Sequence, residues 1–112
     1  MKVLAIVAAV VFVSLPASAE EAIDAEKMIR AYCAAKWAAD YEMQKYCIDE
    51  QIEAAAKVYD HQEKYAPESE ERKIMDRCVG KWTRAGVIDF EMVAYCIDEQ
   101  MKAYRALYPP KP

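Results

Sequence analysis

The sequence is short of several things a small domain normally uses. It holds two Gly, one His and two Phe in 112 residues, and beyond position 19 its one Leu is Leu107. Scarce Gly leaves few places for tight or strained turns, so long helices are expected. Scarce Leu leaves little aliphatic bulk, and 15 of the residues beyond position 19 are Ala. A core this poor in so short a chain calls for covalent or quaternary reinforcement. With His61 alone and no Cys-x2-Cys pair, the sequence lacks the motifs of covalent haem, dithiol redox chemistry and closely spaced zinc sites. The six Met, two of them placed to fill core, do not call for a copper site. Beyond residue 19 no apolar run approaches the roughly 20 residues a membrane-spanning helix needs. Fifteen basic against 19 acidic side chains, a formal charge of −4, do not form the basic surface that a nucleic-acid partner requires.

The long apolar run that is present lies at the start. Met1 and Lys2 precede Val3 to Val13, and Ser14-Leu15-Pro16-Ala17-Ser18-Ala19 follows, which reads as a secretory signal peptide cleaved after Ala19. The remainder is expected in the periplasm or outside the cell. There four Cys in a short chain read as two disulfides, with no cofactor and no metal.

The strongest signal is internal repetition. Tyr46-Cys47-Ile48-Asp49-Glu50-Gln51 recurs letter for letter as Tyr95-Cys96-Ile97-Asp98-Glu99-Gln100, an offset of 49. Asp40, Glu42, Met43, Ala54 and Tyr59 return at the same offset as Asp89, Glu91, Met92, Ala103 and Tyr108. Upstream the offset is 45, with Glu26, Ile29, Cys33, Lys36 and Trp37 returning as Glu71, Ile74, Cys78, Lys81 and Trp82. The second copy holds four additional residues, Ala85-Gly86-Val87-Ile88, and length of that kind is absorbed at a surface turn. Gly86 fits the position just past a helix, and Asp89 and Asp40 fit N-caps.

Cys33 and Cys47 flank Asp40 at seven residues each, and Cys78 and Cys96 flank Val87 at nine. Residues equidistant from the turn of an antiparallel hairpin lie level, so Cys33 is expected to pair with Cys47 and Cys78 with Cys96. In one straight helix the first pair would stand about 21 Å apart and would not meet. The same symmetry sets Trp37 level with Met43 and Trp82 level with Met92, a small Trp, Met and cystine plug in each hairpin. Closing a loop of about 15 residues contributes on the order of 3 kcal/mol in the chain-entropy account.

The expected fold is all-α. Helices are placed at about 24–38, 41–64, 69–84 and 90–108, forming two tandem disulfide-stapled hairpins over 20–64 and 65–112 that pack as a four-helix domain. Pro109-Pro110-Lys111-Pro112 is an extended tail. The pattern Cys-x3-Trp, turn, Met-x3-Cys-x3-Gln resembles the duplicated cysteine and tryptophan hairpins of small, mostly uncharacterised exported bacterial proteins. It is more distantly similar to coiled-coil-helix-coiled-coil-helix proteins, from which it departs in having one Cys per helix. Neither resemblance implies a defined activity.

Of the candidate chemistry, Asp49-Glu50 and Asp98-Glu99 are adjacent on a helix and so diverge by about 100°, which suits a charged face better than an acid–base pair. Gln51 and Gln100, one turn past the second Cys, face the core and must find partners there or at the sister hairpin, or anchor a ligand. Tyr59, Tyr65, Tyr104 and Tyr108 lie toward the ends of helices two and four and mark a partner or oligomer surface if they cluster. The expected function is an exported, non-enzymatic binding or interaction module for a protein or a small apolar ligand, with a homodimer left open. The alternative is a periplasmic acid-stress or chaperone-like protein, and a third reading is a carrier of a small ligand or metal.

Overall fold

No Gly or Pro interrupts the chain between Ala22 and Ala66, yet the helix breaks after Lys36. Trp37 to Ala39 form a turn in which Ala39 takes a left-handed φ of 64°, the conformation that commonly ends a helix. Asp40 then caps the next helix, its carboxylate accepting from the Met43 amide at 3.1 Å. Gln44 reaches back and its Nε2 donates to the Trp37 carbonyl at 2.8 Å, a second donor beside the Asp40 amide at 3.1 Å, so the turn is held by backbone and side chain together.

The computed structural model describes residues 19–111, with side chains described from Asp24 onward. The leader and its cleavage site, read over residues 1–19, fall outside this range apart from Ala19. Four helices follow one another, α1 (Ala19–Lys36), α2 (Tyr41–Lys64), α3 (Glu70–Lys81) and α4 (Phe90–Leu107), with strands β1 (Thr83–Arg84) and β2 (Val87–Ile88) between the last two. Helix α2 matches its expected span, and α1 begins five residues earlier than the expected 24 because nothing between Ala19 and Asp24 breaks a helix.

The turn of the second hairpin is the main departure from expectation. Helix α3 stops at Lys81, three residues short of the expected 84, and the chain enters a two-stranded antiparallel ladder pairing Thr83 with Ile88 and Arg84 with Val87. Ala85 and Gly86 both take positive φ, 51° and 77°, as a two-residue hairpin turn matched to strand twist requires. Gly86 therefore serves a β-turn and not the end of α3. Thr83 helps to end α3, its hydroxyl donating to the Val79 carbonyl at 2.6 Å.

Both hairpins are closed by the cystines expected from their symmetry, Cys33 to Cys47 and Cys78 to Cys96, each with a Cα separation of 5.7 Å. The hairpins pack together, with α2 against α4 at the centre, α1 on α2 and α3 on α4. Helices α2 and α4 run parallel, since Gln51 bonds to Asp89 at one end and Arg105 to the Tyr65 hydroxyl at the other. The core is assembled from Ile29, Cys33, Val58, Ile74, Met75, Cys78, Phe90, Val93, Ile97 and Met101, together with Ala54 and Ala55, which let the central helices approach closely.

The elbow between hairpins is held by side chains on backbone carbonyls. Ser69 caps α3 and its hydroxyl donates to the Ala66 carbonyl. Arg72 Nη1 donates to the Gln62 and Tyr65 carbonyls at 2.9 and 3.2 Å. His61, within the last turn of α2 and half-buried, stands 2.8 Å from the Glu71 carbonyl through Nε2, which must be the donor. Its ring thus helps to hold the elbow.

Candidate functional site

Among the described residues the one buried polar side chain is Gln51, 3% exposed. Its amide faces the start of α4 and uses both ends there. Nε2 donates to Asp89 Oδ1 at 2.9 Å, and Oε1 accepts from the Phe90 amide at 2.8 Å. Asp89 is itself the N-cap of α4, accepting from Met92 at 3.3 Å, and its second oxygen stands 3.5 Å from the Tyr32 hydroxyl on α1. Tyr59 stacks obliquely on Phe90 with ring centres 6.2 Å apart. Together α1 and α2 of the first hairpin grip the capped N-terminus of the second. Gln51 is therefore consumed in the sister-hairpin bond that was one of its two expected uses.

Gln100, at the corresponding position, is exposed. It lies in a groove of about 550 Å³ between α3 and α4 with Ile74, Arg77, Tyr104, Leu107 and Tyr108. Tyr104 and Tyr108 pair there at 5.5 Å, Tyr59 sits on Phe90 at the opposite end of α4, and Tyr65 packs on His61 at 4.6 Å and accepts from Arg105. Trp37 and Trp82 are half-buried and pack against the core, each with a lysine ammonium over its ring, Lys36 at 5.9 Å and Lys81 at 5.7 Å. Met43 and Met92 are half-buried beside the two turns.

A second groove, of about 610 Å³, opens between α1 and the β-ladder. Met28, Ala31, Tyr32 and Ala35 recur at helical spacing on one face of α1 and form one wall, and Trp82 and Val87 form the other. Arg84 and Asp89 stand at its edge as the charged groups. Sequence reasoning did not identify this groove, because its second wall is the β-ladder that the four additional residues build. The helical spacing of Met28, Ala31, Tyr32 and Ala35 was the available signal.

The carboxylate pairs diverge along their helices as expected. Asp49 bonds to Lys45 at 3.0 Å and Glu99 to Lys102 at 3.4 Å on exposed faces. The Glu91 carboxyl titrates above its usual range, raised by lost hydration and by the neighbouring Asp89 and Glu50 carboxylates, against the opposing pull of Lys36. A native carboxyl that holds its proton more tightly than in the unfolded chain costs stability above its pKa and restores it as the pH falls. Glu91 accordingly favours the fold on acidification, and its solvent access keeps the effect small. Among the described residues no cysteine is free, no group of three or more His, Cys, Asp or Glu is placed to hold a metal, and no helix is long and apolar enough to cross a membrane. No family model, curated protein or solved structure matches the chain.

Proposed function

We propose that this protein is an exported, non-enzymatic binding module that holds a small apolar ligand in the groove between α1 and the β-ladder. The observation that carries the reading is the groove itself, of about 610 Å³ and so within the size range of sites for drug-sized molecules. Its apolar walls supply affinity, and Arg84 at the edge offers donors to an accepting end of a ligand, while the Asp89 carboxylate beside it is taken up by Gln51, Met92 and Tyr32. One cystine fixes α1 on α2 and the other fixes α3 on α4, so each wall is held on its own hairpin before a ligand arrives, which lowers the ordering cost of binding. The same cystines suit an oxidising compartment, and the apolar residues 3–13 supply a route to one.

Titration of the oxidised protein with 1-anilinonaphthalene-8-sulfonate, an apolar probe with an anionic end, tests this. Saturable binding is expected, together with a change in Trp82 emission. Ala35→Trp fills the groove from the exposed side of α1 and is expected to abolish probe binding without changing the melting temperature. Equal binding by Ala35→Trp and the parent protein would remove the groove as the site.

A further inference from the structure

The two hairpins meet through unlike faces. The first hairpin presents Gln51, Ala54, Ala55, Val58 and Tyr59, and the second receives them with Asp89, Phe90, Val93, Ile97 and Met101. Moving 49 positions along the sequence exchanges these roles and leaves one face of each kind outward. The outward grip is Gln100, Ala103, Tyr104, Leu107 and Tyr108 on the second hairpin, and the seat is Asp40, Tyr41 and Ile52, exposed on the first, with Gln44 and Ile48 half-buried between them. Tyr41, Ile52, Leu107 and Tyr108 are 79%, 41%, 73% and 67% exposed, although their counterparts Phe90, Met101 and Val58 are buried and Tyr59 is half-buried.

From this we infer that the chain associates head to tail with further copies of itself, the α3/α4 groove of one copy seating the N-terminus of α2 of the next. Each internal bond made to the start of α4 has a chemical counterpart in the external junction, whereas the bond of Arg105 to Tyr65 at the far end has none, because Ala56 stands at the place of Arg105. Gln100 replaces Gln51, donating to the Asp40 carboxylate and accepting from the Tyr41 amide. Tyr108 on Tyr41 replaces Tyr59 on Phe90. Arg77, at the position of Tyr32 by the upstream offset of 45, replaces a hydroxyl on a carboxylate by a guanidinium on one, and charge-assisted bonds of that kind are the stronger. Asp40 has an oxygen available for it, because Oδ1 alone is engaged with Met43.

The internal junction is also displaced lengthwise. Gln51 stands ten residues into α2 yet lies level with the start of α4, a stagger of about 15 Å. A join of unlike faces with such a translation does not close on itself as a twofold dimer does, so it builds short open chains. The external junction is the weaker, because Pro109 and Pro110 end the tail where α2 continues to Lys64. Tyr104 in place of Ala55 also adds bulk at its centre.

Sedimentation velocity of the oxidised full chain over roughly 10 μM to 1 mM, the range of weak association, tests the inference. Average mass is expected to rise with concentration. Tyr41→Glu destroys the seat and Leu107→Glu the grip, so each variant alone is expected to associate at least tenfold more weakly. Mixed together, the two variants retain one good seat and one good grip and are expected to form heterodimers and nothing larger. Ile52→Glu with Arg77→Glu provides a second such pair at exposed positions, and circular dichroism with melting checks the fold of each variant. A parent protein that stays monomeric throughout would overturn the inference. So would mixed variants that fail to pair, or single variants that still dimerise.

Discussion

The two hairpins carry the same hexapeptide, the same cystine arrangement and the same Asp cap, yet they bury different faces. Helix α2 buries Cys47, Gln51, Ala54, Ala55 and Val58, whereas α4 buries Phe90, Val93, Ile97 and Met101. Ile97 and Met101 correspond to Ile48 and Ile52, one residue on from Cys47 and Gln51. The buried stripe of α4 is thus turned by about 100° relative to that of α2. What the hairpins share is set within each, by the distance of the cysteines from the turn. What they do not share is set between them, by which one grips and which one is gripped.

Four measurements test that division, in falling order of effect. Replacing either cystine by a pair of alanines is expected to cost about 3 kcal/mol in chemical denaturation, since loops spanning 14 and 18 positions differ little in closure entropy. Mild reduction should separate the two, opening Cys78 to Cys96 first, because Cys96 is half-buried while Cys33, Cys47 and Cys78 are buried. Equal rates would mean that access does not distinguish the hairpins. Gln51→Ala strips the buried Phe90 amide of its acceptor and is expected to cost about 2 kcal/mol. Gln100→Ala, measured in dilute solution, should stay within about 0.5 kcal/mol. Equal losses would mean that the grip is not one-sided. The smallest effect concerns the turns. Ala39→Gly relieves a left-handed alanine and is expected to stabilise the first hairpin by about 0.5–1 kcal/mol, whereas Gly86→Ala should destabilise the second.

The features legible in the sequence were those governed by one hairpin alone. The symmetric spacing of the cysteines about Asp40 and Val87 is sufficient to pair them, and Asp40 and Asp89 sit where a helix needs an acceptor. The end of α3 was hidden because Trp82, Thr83 and Arg84 include no breaker and the strands that follow are two residues each, too short for an alternating pattern. Hairpin symmetry assigns Gln51 and Gln100 the same inward aspect, and it is the junction that separates them. Their partners, Asp89 and Phe90, lie 38 and 39 positions from Gln51 and come within reach through the stagger of α2 on α4. Nothing local in the sequence encodes that stagger.

The elbow between α2 and α3 has a mechanical consequence. Arg72 and His61 hold it by donating to uncharged backbone carbonyls, and the imidazole Nε2 of His61 can donate whether or not the ring carries a second proton. The ion pairs among the described residues are Glu26 with Arg30, Lys45 with Asp49, Glu70 with Lys73 and Glu99 with Lys102, all exposed and each confined to a single helix. Added salt therefore acts on the decoration of individual rods and leaves the hinge angle between them alone. The molecule should behave as a rigid bracket in dilute and salty surroundings alike.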